Sequence, residues 1–524
     1  MSRWKRVRTA GAGLAIAIGG VFGGALTVAA PAAAGPRPDT QDTRPSSAQA
    51  KGKWRFDATA TTMTNVGAIV GADGAWRSGV DGRGVGVALV DTGVVPVDAL
   101  RAGQVVTGPD LSFDSQVPGL RDLDTYGHGT HLAGIIAGSP GPDGFRGMAP
   151  GARLTSVKVG AGTGVVDAAQ VIAALDWVVE HRDDDPTNPI RVITLAYGTN
   201  STQPYTIDPI AHAAENAWRA GIVVVVAGGN DGAAPLTNPA IDPYVLAVGA
   251  ADSAGTVRSG DDTVMDFSSR GTAERRVDLV APGRSIVSLR DAGGYIDETY
   301  PQARVGDAYI KGSGTSQAAA VVAGGVALLL QQRPDLTPDQ VKGLLTATAS
   351  TLPRADAEGR GAGELDLARA LRSPKVGAAQ TWEPSRGTGS LEAARGSAHV
   401  AFGASVLTGE NTPWGPFDGA AWAAASSAGT AWNDGRWLGT ELARPTVGGS
   451  GAWSGLTWSG LTWSGLTWSG LTWSGLTWSG LTWSGLTWSG LTWSGLTWSG
   501  LTWSGLTWSG LTWSGLTWSS EIWG

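Results

Sequence analysis

From residue 84 to 90 the chain reads GVGVALV, a continuous apolar run that stops at Asp91. So short a run, with no polar alternation, predicts a strand covered on both faces, as in a parallel sheet. Residues 154–159 (LTSVKV) predict a second strand, and the period then changes. Ala168, Val171, Ile172, Leu175, Val178 and Val179 fall on one stripe of a helix over 167–181, with Asp167 as its cap. A strand over 192–196 follows, then a helix over 209–220. That helix has Asp208 at its cap, Pro209 at its first position and Gly221 just past its end. Two more strands are predicted at 222–227 and 245–250, and a long apolar helix runs from about Ser316 to Gln331. Strands alternating with helices predict an α/β fold with a doubly wound parallel sheet. Such sheets place their sites at the carboxyl ends of the strands.

The flanks depart from this pattern. Arg3, Lys5, Arg6 and Arg8 precede a Gly/Ala-rich stretch without charge from 9 to 35, which contains Ala32-Ala33-Ala34. This predicts a signal peptide over 1–34 and a secreted protein, with an uncleaved anchor as the alternative. Residues 35–62 are polar and Pro-containing and read as a linker before a domain at 63–372. Residues 373–450 read as a Gly/Ala/Ser-rich linker, and 451–524 form a tail with Trp at every fifth position from Trp453 to Trp523, fifteen in all, as WSGLT. A five-residue step rotates a helix by about 140°, so no stripe forms, and in one long strand successive Trp would alternate faces. Short extended pieces broken at Ser-Gly fit better. Three readings of the tail stand side by side. It is a β-solenoid or stalk, an aromatic display for cell-wall glycan or other copies of the chain, or an association-prone low-complexity segment.

Composition narrows the chemistry. The 524 residues contain no Cys, which removes thiol nucleophiles, cysteine-ligated metals and disulfides. Five His remain for any His-dependent step, and a net charge of −7 gives no reason to expect nucleic-acid binding.

Asp91 ends a predicted buried strand, His128 lies in GHGTHLAG at a helix start, and Ser316 lies in GSGTSQAAA at another. Alone, each reads as a turn or cap residue. Together they are the acid, base and nucleophile of acyl transfer, since a serine hydroxyl needs an adjacent base and the base needs an orienting acid. Their chain order is Asp, His, Ser. Reading Ser316 as a nucleophile elbow instead requires a His after it, and only His399 qualifies, in a stretch with no core pattern.

Residues 63–372 resemble the subtilisin-like serine peptidases (subtilases, family S8). VALVDTGV is similar to the family's aspartate motif, GHGTHLAG to its histidine motif and GTSQAAAVVAG to its serine motif, and FSSRG and VDLVAPG match as well. The resemblance implies a subtilisin-like fold and Asp91, His128 and Ser316 as the triad. It implies Asn230, in IVVVVAGGND, as an oxyanion donor beside the Ser316 amide. It also implies that an extended peptide pairs with the edges around Gly164 and at Ala196-Tyr197-Gly198. Ala227, Gly228 and Gly229 would line the primary pocket, with Tyr197 bulkier than the family's usual Leu. Three features depart from the family: Ser316 is followed by Gln317-Ala318-Ala319-Ala320-Val321, residues 35–62 are too few for a folded propeptide, and the loop 139–147 offers only Asp143 as a carboxylate. Calcium, common in the family, is therefore given no ligands here.

These residues lead to a secreted serine endopeptidase acting on protein or peptide substrates without a required cofactor. The alternative is a cell-surface or wall-binding protein whose peptidase core is vestigial.

Overall fold

The computed structural model describes residues 61–441, except 118, 142–143, 403–404 and 434, together with the backbone of short strands between 452 and 518. The expected signal peptide, residues 35–60 of the expected linker, and Asp143 lie outside the described residues.

Eight strands form the central sheet: β1 Gly86–Asp91, β2 Val105–Asp110, β3 Arg153–Lys158, β4 Ile190–Leu195, β5 Val223–Ala227, β6 Leu246–Asp252, β7 Thr263–Val264 and β8 Leu279–Pro282. Their spatial order is 2-3-1-4-5-6-7, with β8 also on β6, and every pairing is parallel except β6 with β7. From β1 the chain crosses to the edge strand β2, returns to β3 beside β1, and then builds outward on the other side through β4, β5 and β6, so the direction of the connections reverses beside β1. That is where a doubly wound sheet opens a crevice. All residues of β1, β5 and β6 are buried, which accounts for their unbroken apolar runs.

Helices α1 (His128–Ala137) and α4 (Thr315–Gln332) pack on each other, as do α2 (Ala168–Glu180) and α3 (Pro209–Arg219). The predicted caps are present. Asp167 and Gln170 form a capping box on α2, and Asp208 accepts from Ile210 and Ala211 N–H at the start of α3. A second sheet joins Thr61–Thr62, Ile286–Leu289, Tyr309–Gly312 and Arg304–Val305, and its hairpin delivers the chain to the start of α4. Thr61 and Thr62, the last two residues of the expected linker, therefore belong to the folded domain. Thr62 caps the helix Met63–Ile69 by accepting from Asn65 N–H.

The larger departure lies beyond residue 372. Residues 373–441, read in the sequence as linker, form a layer packed on α2 and α3. It contains helices α5 (Leu391–Arg395) and α6 (Gly419–Ser427) and three short hairpin sheets. Trp422 and Trp437 are buried and donate to Asp176 Oδ2 at 2.8 and 2.9 Å, and Trp432 donates to the Ala173 carbonyl at 2.7 Å. Burial pushes the Asp176 carboxyl up to about 6, against the opposing hydrogen bonds from Ser426, Trp437 and Trp422. The layer escapes pattern reading because a few large aromatics anchored by indole N–H groups hold it, with no periodic stripe.

In the tail, three-residue Thr-Trp-Ser strands pair in parallel with strands twenty residues away, as Thr457–Ser459 does with Thr477–Ser479. Four sheets result, each taking every fourth repeat.

Candidate active site

Asp91 is the last residue of β1 and is buried, with Oδ1 accepting the Thr92 N–H at 2.8 Å. His128 opens α1. Its Nδ1 lies 2.9 Å from Asp91 Oδ1 and 3.0 Å from Oδ2. A carboxylate can only accept, so Nδ1 holds the proton of the neutral ring and Nε2 keeps its lone pair. Burial lowers the imidazole pKa, but the Asp91 charge and hydrogen bond outweigh it, and the net shift is upward.

Asp124, not singled out in the sequence, wires this half of the site. Its Oδ1 accepts from Tyr126 and Gly127 N–H at 3.1 and 2.7 Å, and its Oδ2 from Thr130 N–H at 2.8 Å. It thereby caps α1 from three residues before Gly127, which adopts φ 103 and has no side chain of its own to serve as cap. An Asp a few residues ahead of a predicted helix is the sequence signal that could have found it. Thr92 Oγ1 links the two acids' neighbourhoods, donating to Asp124 Oδ1 at 2.8 Å and accepting from Gly129 N–H at 2.9 Å. A Cβ at Gly129 would fall 2.1 Å from the Gly93 carbonyl oxygen, so only glycine lets α1 approach the end of β1 this closely.

Ser316 is the second residue of α4 and is fully buried. Its Oγ and His128 Nε2 are both buried and make no hydrogen bond to any described residue. Asn230 lies just past β5, and its Oδ1 accepts from Thr315 N–H at 2.9 Å and Thr315 Oγ1 at 3.1 Å. That contact caps α4 and fixes the amide's orientation, because a backbone N–H requires the oxygen end. The nitrogen of the Asn230 amide is then the end that can donate. Thr315 Oγ1 also accepts from Gly229 N–H at 3.2 Å, tying the β5 end to the residue before Ser316.

The segments expected to hold substrate follow the carboxyl ends of β3 and β4, which flank β1, and of β5, which neighbours β4. Gly164 lies in the turn after β3, where its N–H donates to the Ala161 carbonyl at 2.7 Å. Ala196-Tyr197-Gly198 continues β4, and Ala227 ends β5 ahead of Gly228 and Gly229. The Tyr197 ring belongs to the buried core, and burial raises its phenol pKa strongly, with Asp167 adding to the rise. Gly228 also has a packing reason, since a Cβ there would lie 2.8 Å from Val277. His131 is buried on α1 and donates through Nε2 to the Ile286 and Ile310 carbonyls. Burial and then the His128 charge lower it to about 4, so it stays neutral. His399 pairs with Glu392 in the C-terminal layer.

A buried Asp–His pair joins the end of β1 to the start of α1, and a buried serine stands at the start of α4, the helix packed on α1. The model of the subtilase family matches residues 82–373, and the chain belongs to that family. It is similar to the serine protease AprX of Bacillus subtilis (strain 168), 41% identical over 273 residues, which are 50% of this chain and 61% of that protein. Subtilisin Savinase of Lederbergia lenta is 33% identical over 296 residues, covering 56% of this chain and 93% of that protein. A crystal structure of a cold-adapted subtilisin-like serine proteinase matches at 30% identity and a TM-score of 0.42, over 55% of this chain and 89% of that one.

Proposed function

We propose that the chain is a secreted serine endopeptidase that hydrolyses peptide bonds through an acyl-enzyme. The observation that carries this reading is the Asp91–His128 pair, whose free Nε2 and the buried, unbonded Ser316 Oγ stand at the starts of two helices packed together. In apo sites the nucleophile–base contact is often long and tightens with substrate.

In this mechanism His128 Nε2 takes the Ser316 proton as Oγ attacks the substrate carbonyl. Asp91 keeps the ring in the tautomer that can do so and steadies the imidazolium. The Asn230 amide nitrogen and the Ser316 N–H donate to the oxyanion. His128 returns its proton to the leaving amine, and water then repeats the sequence to release the acid. The substrate lies extended along the edges at Gly164 and Ala196-Tyr197-Gly198, with its specificity side chain against Ala227, Gly228 and Gly229. No cofactor or metal is assigned a role.

The tail is read as a parallel β-solenoid of four repeats per coil. The twenty-residue pairing offset supports it. Its partners are cell-wall glycan or further copies of the chain. Sedimentation of the full chain with and without wall glycan separates the two.

The peptidase reading is tested by incubating wild type and Ser316→Ala with a peptide library. Cleavage by the wild type alone is expected. Cuts that persist in Ser316→Ala contradict it.

A further inference from the structure

The family match ends at residue 373, yet the chain beyond it reaches the walls of the substrate cleft. Arg395, the last residue of α5, is fully buried. Its Nε donates to Asp167 Oδ2 at 2.7 Å, and Nη2 to Asp167 Oδ1 at 3.4 Å and to the Asn411 carbonyl. Its Nη1 donates to the Gly409 carbonyl at 2.7 Å and to Glu392 at 3.2 Å. A buried guanidinium persists only when paired and hydrogen-bonded in this way, and removing one partner strands the other charge in the core.

What Arg395 holds matters more than the pair itself. Asp167 caps α2 and lies three residues past Gly164, on the chain that forms one cleft wall. The neighbouring residue, Ala394, accepts from Thr199 Oγ1 at 2.6 Å through its carbonyl, and Thr199 directly follows Ala196-Tyr197-Gly198, the opposite wall. Asn200 Oδ1 accepts from Ser397 N–H at 2.7 Å. Gly396 makes this approach feasible, because a Cβ there would lie 2.3 Å from Asn200 Oδ1. Tyr197, within the second wall, lies in the field of both Asp167 and Arg395. One short stretch, 394–397, is therefore bonded to both walls.

We propose that Arg395 is a positioning residue that, with its neighbours in 394–397, sets the spacing of the two substrate-holding segments at 163–165 and 196–198. Residues 374–441 are then a working part of the enzyme. The proposal rests on the peptidase reading only for the identity of those segments. Arg395 touches no reacting atom and acts through Asp167. Its loss should therefore weaken the grip on an extended peptide while sparing chemistry on a substrate that occupies only the primary pocket.

The full chain supplies the test, with Arg395→Met, Arg395→Lys and, as a control elsewhere in the layer, Trp432→Phe. Binding of a fluorescein-labelled hexapeptide, drawn from the same library by its affinity for Ser316→Ala, is measured by anisotropy in that background. KM and kcat for the same peptide and for a single-residue ester are measured with Ser316 intact. Arg395→Met is expected to raise the hexapeptide Kd and KM about tenfold or more, within the range of couplings between linked sites. Ester kcat should stay within about twofold, Arg395→Lys should recover part of the loss, and Trp432→Phe should match the parent. An unchanged Kd and KM in folded Arg395→Met overturns the proposal, as does an equal fall in peptide and ester turnover. If Arg395→Met does not fold, the same readings on Asp167→Asn and Arg395→Lys decide. The binding arm needs no catalysis, so an inert wild type whose hexapeptide affinity still depends on Arg395 would sink the peptidase reading and leave the clamp standing.

Discussion

The two halves of the site are held in different ways. In the half built from Asp91 and His128, side chains bond to side chains. Both Asp91 oxygens face Nδ1, and Thr92 and Asp124 secure the strand end and the helix start around them. In the half built around Ser316, Oγ makes no hydrogen bond to any described residue, and the helix start that carries it is held by Asn230 Oδ1 on the Thr315 N–H and by Thr315 Oγ1 on the Gly229 N–H. In the proposed mechanism the base is thus preorganised before substrate arrives, and the nucleophile is placed by its helix. A nucleophile already committed to a strong hydrogen bond would have to break it to react, whereas a base must have its tautomer fixed in advance.

That contrast can be broken most sharply at the serine. Ser316→Ala should lower kcat by about 10⁶, the size of the effect in the relative subtilisin, and His128→Ala by a similar factor, because the groups act as a unit. Both variants should melt close to the wild type. Steady-state hydrolysis and calorimetry together make the check.

Asp91→Asn comes next, with an expected loss of about 10⁴ in kcat from the wrong tautomer. Its pH profile is the sharper reading. The net upward shift of His128 means that activity in the wild type falls as pH drops through a value above 6.5. Without the Asp91 charge, burial dominates and that limb should move to lower pH. The linked stability follows the same sign. The pair's contribution is full below the ordinary imidazole pKa and is lost as pH rises through the raised one.

Asn230 separates its two jobs. Asn230→Ala removes the oxyanion donor and the acceptor that caps α4, so turnover should fall by about 10²–10³, as for the same loss in subtilisin, and stability by about 1 kcal/mol. Asn230→Asp keeps an acceptor for Thr315 N–H, and should lose the activity while melting near the wild type. The smallest effect is expected at Asp124. Asp124→Ala strips three N–H groups of their acceptor and should cost about 1–2 kcal/mol of stability, with a severalfold fall in kcat/KM.

Much of this was readable beforehand. The strands at 86–91 and 223–227 and the helices opened by Asp167 and Asp208 appear within one or two residues of their expected ends, because buried parallel strands and capped amphipathic helices write strong local patterns. Asp91 and His128 were identified by type, order and glycine flanks, and the structure joins them directly. The edge strand at 105–110 was not foreseen, since it mixes exposed and buried residues without alternation. Asp124 and Thr315 were missed because their work is done on backbone N–H groups, which sequence does not display. The layer at 373–441 was missed for a third reason. Its Gly/Ala/Ser composition reads as linker, while its order comes from long-range partners such as Asp176 and Asp167, some two hundred residues away.

The most direct measurement is labelling of the folded chain with a fluorophosphonate, followed by mass mapping of the modified residue. The account predicts a single adduct on Ser316, formed in the wild type and lost in His128→Ala. An adduct elsewhere, or a folded wild type that does not react, would contradict it.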